Sequence, residues 1–296
     1  MDRRLTIEMI ANELHLPMST VRNILTKDLQ MKRVAAKIVP RILTEEQKRK
    51  RLENSKKMLV MIKDDPNLLK RVITGDESWV YGYDPETKQM SSQWLKSSEM
   101  VPKKAKSQKS SVKCMLLLFF DYKGVVHHEW VPKGTTVTSA YYISCLHRLK
   151  HAVETKRPEL ASTGWMLHHD NASSHSAYNV GTHLTINDIG LLSHPPYSPD
   201  MAPCDFWLFF RTKKPMKGEY HSSIDEIKEN TEKVFKSIPE EEFSKCILEN
   251  WERRWKRCIY SLGEYFEGDK RKLHGGCPMH TLQDVKETIE DDHRYF

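Results

Sequence analysis

The segment from residue 165 to residue 205 constrains the fold of this chain more than any other stretch. An apolar run at residues 165–167 has the length of a buried β-strand and is followed closely by Asp170. Thirty-four residues separate Asp170 from Asp205, which opens an apolar run of helical character. Far upstream, Asp76 ends another β-like run that begins at Arg71. Acids that follow strands at long intervals are what a fold needs to gather carboxylates at one place.

Three gathered carboxylates suit hard divalent cations. Mg²⁺ prefers oxygen ligands and is usually bound by one or two carboxylates together with water and substrate phosphate oxygens. Two such ions about 4 Å apart activate a nucleophile and stabilise a leaving oxygen in phosphodiester chemistry. Two nearby acids are expected to have roles other than metal binding. Glu77 adjoins Asp76, but neighbours on a strand point to opposite faces, and Asp200 lies in a Pro-rich crossing that it is expected to hold.

The order of the predicted elements matches an α/β, ribonuclease-H-like domain, with a mixed five-stranded sheet flanked by helices. We predict strands at 71–76 (continuing towards 81), 113–120, 125–131, 165–169 and 189–193, and helices at 138–155, 173–186, from 205, at 223–237 and at 240–262. In this fold the first and fourth strands are neighbours. Asp76 and Asp170 are therefore expected to end side by side, with Asp205 facing them from the following helix.

Residues 6–28 show the pattern of two short helices joined by a tight turn. Thr6 is placed to cap the first helix and Ser19 to cap the second. This describes a small all-α helix-turn-helix, whose second helix enters the major groove of DNA. A helical hairpin with no role in DNA binding fits the same pattern, and the glycine often found in the turn is missing. The side chains expected to contact DNA are Ser19, Thr20, Arg22, Asn23, Lys27, Arg33, Lys37 and Arg41.

The net charge of +7 is concentrated near the N-terminus. Residues 1–58 contain 14 Lys and Arg against 7 Asp and Glu, and the remainder is balanced. This distribution favours an anionic partner such as duplex DNA. Thr44 and Gln47 form a capping box that starts a helix within the basic segment 31–70. The basic run 48–51 is a candidate nuclear localisation signal or DNA-facing patch, and a solvated helix face explains it equally well.

Composition excludes several other classes of protein. The longest apolar run, at 115–120, is far too short to span a membrane, and the N-terminus lacks the apolar core of a signal peptide. The six cysteines form no CxxC pair. We therefore expect reduced thiols in an intracellular protein rather than a disulfide framework or a zinc site. Apart from His175, the histidines considered as metal ligands lack the spacing of a transition-metal site; they are His127, His128, His168, His169, His183 and His194.

Several phrases of the sequence are similar to those of the mariner family of DNA transposases. The matching pieces are TGDES at 74–78, HHDNASSH at 168–175, PPYSPDMAPCDFWLF at 195–209, KGEYH at 217–221 and WERRWKRCIYSLGEYFEG at 251–268. The 34-residue interval between Asp170 and Asp205 is also typical of the family. The N-terminal pattern resembles the family's second helix-turn-helix, and VPRILTEEQ at 39–47 resembles its interdomain linker. The sequence also resembles the transposase half of proteins that fuse a mariner transposase to a SET methyltransferase.

The resemblance implies a DDD-type, Mg²⁺-dependent endonuclease and polynucleotidyl transferase. Asp76, Asp170 and Asp205 fall on the family's catalytic triad and would bind two Mg²⁺ ions, for which Mn²⁺ can substitute. The implied reaction is cut-and-paste transposition, in which transposon ends are cleaved and their 3′-hydroxyls attack target DNA. Asn171 and His175, beside Asp170, are expected to position it or to contact DNA, and helix capping is a further alternative for Asn171.

The partners that the resemblance implies are double-stranded DNA, as terminal inverted repeats and as target, and a second copy of the chain. A clamp-like loop at 84–112 would reach that second copy in a homodimer, and the implied location is the nucleus. No membrane partner is expected.

The expected domains are a helix-turn-helix at 1–30, a linker and helix at 31–70, a catalytic domain at 71–268 and a disordered tail at 269–296. The family has two helix-turn-helix units and this sequence begins almost at the second, so weaker recognition of DNA ends is expected. The alternative function is a catalytically silent or domesticated DNA-binding remnant. Cleavage that requires metal and the three aspartates distinguishes the two functions, whereas DNA binding alone does not.

Overall fold

The computed structural model describes residues 4–267, and the chain divides into two compact units, Met1–Ile42 and Leu43–Phe296. The tail predicted at 269–296 lies outside the described residues. Within residues 4–267 no helix is both long enough and apolar enough to cross a bilayer. The five cysteines of this range are free thiols, and all of them are buried.

The smaller unit contains a helical hairpin. Helix α1 (Ile7–Leu14) is capped as predicted, since the hydroxyl of Thr6 accepts a hydrogen bond from the Met9 amide at 3.1 Å. Helix α2 (Met18–Asn23) continues as a π-helical turn, Ile24–Asp28.

The prediction that Ser19 caps α2 was wrong. Pro17 directly precedes the first helical residue, and no side chain caps this helix. The fixed φ of proline lets the chain enter the helix two residues earlier than the hydroxyl pattern indicates. Ala11 and Val21 are both buried where the two helices cross, so a small residue on α1 permits a close approach.

The larger unit is built on a five-stranded sheet with the strand order β3-β2-β1-β4-β5. Its strands are β1 (Val72–Tyr81), β2 (Lys113–Asp121), β3 (Gly124–Val131), β4 (Met166–His168) and β5 (Gly190–Leu192). The first three strands form an antiparallel meander, whereas β4 runs parallel to β1 and β5 runs parallel to β4. The predicted α/β fold with a mixed five-stranded sheet is therefore confirmed.

Helices cover both faces of this sheet. They are α3 (Glu45–Asp64), α4 (Ser139–Lys156), α5 (Pro158–Thr163), α6 (Tyr178–Ile186), α7 (Phe209–Lys213), α8 (Ile224–Lys236), α9 (Glu240–Ser244) and α10 (Trp251–Tyr260). The capping box is present on α3, where the Thr44 hydroxyl accepts from the Gln47 amide and the Gln47 side chain accepts from the Thr44 amide. The helix predicted from residue 173 begins only at Tyr178, because the chain first makes a turn between Ala172 and His175.

The two faces of the sheet have separate cores because successive strand residues point to opposite sides. Val72 and Val80 join the core that α7, α8 and α10 complete. Ile73 joins the core that α4 and α6 complete. Asp76 has the parity of Val72, so it faces the α7 and α10 side, and Glu77 faces the α4 side. Strand β1 continues to Tyr81, so Asp76 lies in mid-strand rather than at the strand end where it was expected.

Candidate active site

Asp76 is the most rigidly held of the three predicted acids. It lies in β1, in register with Leu118 of β2, and its Oδ1 accepts a hydrogen bond from the Glu77 amide at 2.7 Å. Burial raises the pKa of the Asp76 carboxyl well above its ordinary range, and the negative charges of Asp205, Glu77 and Asp170 raise it further. The acids that the sequence brings from distant positions therefore act on one another here.

Asp170 lies two residues beyond β4, whose His168 pairs with Thr74 of β1. The parallel pairing of the two strands carries Asp170 to the side of Asp76. Its Oδ1 accepts a hydrogen bond from the Ala172 amide at 3.0 Å and lies 2.7 Å from Nδ1 of His175. Burial alone would raise the pKa of Asp170, but these two hydrogen bonds outweigh it and hold the pKa below its ordinary value.

Asp205 enters the site from the first turn of a π-helical segment, Cys204–Leu208, that runs into α7. The residue as a whole is exposed, but its carboxyl is partly desolvated. This desolvation and the charge of Asp170 raise the pKa of Asp205 to about 6. Burial and the charge of Asp170 thus outweigh the opposing effect of Lys213 on Asp205.

The Pro-rich crossing that leads to Asp205 is fixed by a buried arginine of α3. The guanidinium of Arg51 is bidentate to Asp200, at 2.8 Å and 2.7 Å, and also donates to the Ser198 hydroxyl and the Gly263 carbonyl. Arg51 is fully buried and the Asp200 side chain is only 3% exposed. Asp200 therefore holds the crossing, in agreement with its predicted structural role, but sequence reasoning did not find its partner.

The buried position of Arg51 also bears on the two interpretations of the basic run 48–51. Lys48 pairs with Glu45 and Glu264, and Arg51 lies inside the protein. Only Arg49 and Lys50 of the run are exposed, and each pairs with an acid of the same helix. The nuclear location stays a prediction.

His175 lies between two carboxylates, as its predicted role beside Asp170 requires. Its Nδ1 lies 2.7 Å from Asp170, its Nε2 lies 3.0 Å from Oε1 of Glu77, and its side chain is 1% exposed. Burial disfavours the charged ring, but the bonds to Asp170 and Glu77 raise the pKa of His175 to about 10. Asn171 instead donates to the His194 carbonyl at 2.7 Å and so ties the Asp170 loop to the crossing.

Sequence reasoning did not find the site contacts of two charged residues. One is Glu77, whose contact with His175 spans 98 positions in the chain. The other is Lys213 of α7, which donates to the Ser78 hydroxyl. Burial lowers the pKa of Lys213 to about 8, and the charge of Lys109 acts in the same direction. No local pattern marks either residue, because both contacts depend on how the sheet and α7 pack.

A cleft of about 700 Å³ opens beside Asp170, between α6 and β5. Asn171, His194 and Tyr178 are among its lining residues, and no Lys or Arg lines it. Positive charge lies on the other side of the acids, at Lys213. Lys213 could thus contact a phosphate beside the acids, while the cleft beside Asp170 contains no Lys or Arg side chain from residues 4–267.

The three aspartates fit a divalent cation. They supply only hard oxygen donors, and a cation would offset the burial and mutual repulsion that raise the pKa of Asp76 and Asp205. Within residues 4–267, the only three metal-ligand side chains whose ligand atoms lie within 4.8 Å of one another are His127, Glu129 and Cys145.

We assign that second cluster to an ion pair rather than to a metal centre. The guanidinium of Arg148 contacts Glu129 in a bidentate manner, at 2.6 Å and 2.7 Å, and already neutralises it. Burial raises the pKa of the Cys145 thiol, which therefore stays neutral and is a poor ligand.

The residues predicted to contact DNA all lie on the surface. The hydroxyls and amide of α2 and the basic side chains that follow are exposed at Ser19, Thr20, Arg22, Asn23, Lys27, Arg33, Lys37 and Arg41. The clamp-like loop, 84–112, exposes large apolar side chains as well. Trp94 is fully exposed, and Met100 and Val101 retain 94% and 78% of their accessible surface.

Comparisons with known proteins place this geometry among transposases. Residues 84–163 match a family described as "Transposase (partial DDE domain)". The Mariner Mos1 transposase of Drosophila mauritiana is 29% identical over 264 residues, which are 88% of this chain and 75% of that protein. The human histone-lysine N-methyltransferase SETMAR is 30% identical over 266 residues, which are 88% of this chain but only 38% of that protein.

Solved structures agree with the sequence comparisons. The Mos1 mariner paired end complex with Mn superposes with a TM-score of 0.77 at 29% identity, over 89% of this chain and 76% of that chain. The Mos1 paired end complex with Mg gives 0.76 at 28% identity, over 89% and 76%. The Mos1 Strand Transfer Complex gives 0.75 at 28% identity, over 89% and 75%.

Proposed function

Because the chain is a mariner-type DNA transposase by sequence and by fold, we propose that Asp76, Asp170 and Asp205 bind its divalent metal ions. The observation that carries this proposal is the gathering of three partly buried carboxylates from distant parts of the chain. Burial raises the pKa of Asp76 and Asp205, and the negative charges of the neighbouring acids raise it further. Bound divalent cations would offset this repulsion.

The reaction we propose is hydrolytic cleavage at transposon ends, followed by attack of the freed 3′-hydroxyl on target DNA. When bound, two divalent ions lower the pKa of the attacking hydroxyl and stabilise the departing 3′ oxygen. The chain's own residues orient the acids. Asp76 is fixed by the sheet, Asp170 by its hydrogen bonds, and Asp205 by the crossing that Arg51 anchors. Lys213 supplies a cation for a phosphate beside the acids.

Mg²⁺ is the proposed physiological ion, with Mn²⁺ as a substitute and two ions in each site. Structures of the Mos1 relative exist with both metals, which supports divalent metal use in general. The all-oxygen donor set supports the preference for Mg²⁺ over softer metals.

DNA is the proposed partner, in the form of terminal inverted repeats and of target. The exposed α2 residues and the basic segment that follows would contact it, with Arg22, Lys27 and Arg33 among them. A homodimer is proposed through loop 84–112, because the exposed Trp94 and Met100 are apolar surface that a second copy would cover.

The test is nicking of supercoiled plasmid by the purified chain with Mg²⁺ or Mn²⁺, compared with EDTA. Asp170→Asn removes a ligand charge at almost constant shape. Asp188→Asn is the matched control, because this aspartate is exposed and in the left-handed region, which Asn tolerates well. We expect metal-dependent nicking by the wild type and by Asp188→Asn, and none by Asp170→Asn.

Equal nicking by wild type and Asp170→Asn would contradict the proposal, and so would nicking in EDTA. If the wild type binds plasmid but never nicks it, the chain is the DNA-binding remnant that the sequence leaves as the alternative. Strand transfer of pre-cleaved ends, assayed with the same variants, then tests the second chemical step.

A further inference from the structure

The imidazole of His175 joins two acids from different parts of the sheet. One ring nitrogen lies 2.7 Å from Oδ1 of Asp170 and the other lies 3.0 Å from Oε1 of Glu77. We call these three residues the His175 bridge. Its two ends differ in exposure, since the side chain of Asp170 is 43% exposed and that of Glu77 only 16%. The bridge thus connects an accessible carboxylate to a covered one.

The ring of His175 has little freedom to turn. It packs against the Tyr142 ring at a centroid distance of 4.1 Å and is stacked on His169 at 5.1 Å with an interplanar angle of 11°. The hydroxyl of Tyr142 also hydrogen bonds to Nδ1 of His169, at 2.9 Å. The Tyr142 and His169 rings are themselves 5.7 Å apart, so the three rings form one packed cluster that restricts rotation of the imidazole while its two nitrogens contact Asp170 and Glu77.

Glu77 does not face the site in the way that Asp76 does. Strand parity puts Asp76 on the α7 and α10 side of the sheet and Glu77 on the α4 side. Glu77 is therefore an acid adjacent to a metal ligand in sequence but on the opposite face of the sheet. Through its contact with His175, Glu77 is connected to Asp170, which lies just beyond the end of β4.

The two carboxylate oxygens of Asp170 differ in their hydrogen bonding. Oδ1 accepts from both His175 and the Ala172 amide, whereas Oδ2 accepts no hydrogen bond from any residue between 4 and 267. Asp170 itself follows a strand of only three residues and lies in a loop, so its backbone alone does not fix the carboxylate.

We infer that Glu77 is a positioning residue, which acts through His175 to hold the Asp170 carboxylate with Oδ2 free for a divalent cation. This inference rests on the proposed metal-binding role of Asp170. Partners that hydrogen bond to metal ligands typically contribute about 10- to 100-fold in metal affinity or activity. Glu77 would thus serve the site without touching metal or substrate.

The experiment measures Mn²⁺ affinity by electron paramagnetic resonance in the full chain without DNA, for Glu77→Ala and Glu77→Gln. The amide oxygen of Gln still accepts from His175 but is a poor metal ligand. We expect Glu77→Ala to weaken Mn²⁺ binding about ten-fold and Glu77→Gln to change it by less than about three-fold. Glu154→Ala, on the exposed surface of α4, is the matched control and should leave the affinity unchanged.

A second comparison separates positioning from a general loss of structure. In an Asp170→Asn background, Glu77→Ala should lower Mn²⁺ affinity no further, because the ligand that it positions is already gone. Nicking by Glu77→Ala should recover towards the wild-type rate as Mn²⁺ is raised, which a misfolded site would not do.

Three results would overturn the inference. Equal weakening by Glu77→Ala and Glu77→Gln would make Glu77 a direct ligand. Unchanged Mn²⁺ affinity in both variants would show that the bridge does not contribute to metal binding. Additive losses of affinity when Glu77→Ala is combined with Asp170→Asn would show that the two acids act independently. A wild type that binds no Mn²⁺, or binds it as well with Asp170→Asn, would instead remove the proposed function on which the inference rests.

Discussion

Asp170 and Asp200 lie thirty positions apart in one segment, and their carboxylates are treated in opposite ways. Both oxygens of Asp200 are bound by the guanidinium of Arg51, and its side chain is 3% exposed. Only one oxygen of Asp170 is bound, and its side chain is 43% exposed. The difference teaches that hydrogen-bond saturation, rather than burial or charge alone, separates an acid that holds the fold from an acid left available for a ligand.

Hydrogen-bond saturation also distinguishes two other aspartates of the larger unit. Asp121 is fully buried, and Arg157 and two backbone amides saturate its oxygens. Between residues 4 and 267, the Asp76 carboxylate accepts one hydrogen bond, from the Glu77 amide. Among these buried or partly buried aspartates, those with saturated oxygens lie away from the site, and those with open oxygens lie within it. Four measurements test this division.

The largest effect is expected when a saturated acid loses its partner. Arg51→Ala leaves the Asp200 carboxylate buried and unpaired, which should lower the free energy of unfolding by about 3–5 kcal/mol. Arg49→Ala is the matched control on the same helix, since its pair with Glu53 is exposed and should contribute less than about 1 kcal/mol. Urea unfolding of the two variants measures the difference. Similar losses in both would contradict the assignment of Asp200.

Metal should stabilise the protein through the open acids. At a Mn²⁺ concentration one hundred times its dissociation constant, the free energy of unfolding should rise by about 2.7 kcal/mol. Asp170→Asn should abolish most of this gain, whereas Asp188→Asn should retain it. Urea titrations with Mn²⁺ and with EDTA supply the measurement, and an equal gain in the Asp170→Asn variant would count against its role as a ligand.

Without metal, an open acid should cost stability. The folded-state pKa of Asp205, about 6, lies above its ordinary value of 3.8, so the folded state holds this proton more tightly than the unfolded state does. Its contribution to stability therefore falls as pH rises from about 4 to about 6 and stays low above that range. Because the residue is exposed, Asp205→Asn should stabilise the protein at pH 8 by only about 1 kcal/mol.

Unfolding curves of the wild type and Asp205→Asn in EDTA, recorded between pH 4 and pH 8, test this sign. The two proteins should converge at the acid end of the range. A variant that is less stable than the wild type at pH 8 would show that Asp205 is paired rather than open.

The smallest effect is expected at a saturated acid near the surface. Hydrogen bonds from His127 and Arg148 outweigh burial and lower the pKa of Glu129, so its stabilising contribution is lost as pH falls below its ordinary value of 4.5. Arg148 is half exposed, and Glu129→Gln should therefore lower stability at pH 7 by about 0.5–1 kcal/mol. Thermal melts at pH 7 and pH 3 test the loss, which should be smaller at pH 3 but not zero, because the folded-state pKa of Glu129 lies well below 4.5.

The sequence permitted correct prediction of features whose signals are local. The capping box at Thr44 and the order of strands and helices follow from periodicity and end signals, and the fold class follows from that order. The pairing of β1 with β4, which carries Asp170 to Asp76, came from the expected topology. Local signals were less informative at boundaries, since the chain turns between Ala172 and Tyr178 where a helix was predicted.

The remaining features depend on long-range packing. The bond between Arg51 and Asp200 spans 149 positions, and that between His175 and Glu77 spans 98. Arg51 sits in a run of basic residues that favours an exposed surface, and only the tertiary fold buries it. Glu77 was set aside because it points away from Asp76. That statement about its direction was correct, but periodicity alone does not reveal which partner lies on the other side of a sheet.

The position of Asp76 within a long strand has a consequence for motion. Its amide belongs to β1, which is ten residues long and paired with β2 along most of its length, whereas Asp170 and Asp205 follow a three-residue strand and a Pro-rich crossing. Amide hydrogens around Asp76 should exchange only when the sheet itself opens, whereas those of the loop that holds Asp170 should exchange by local opening. We therefore expect adjustment of the site to successive substrates to fall mainly to Asp170, since the sheet holds Asp76 and the crossing that Arg51 anchors holds Asp205.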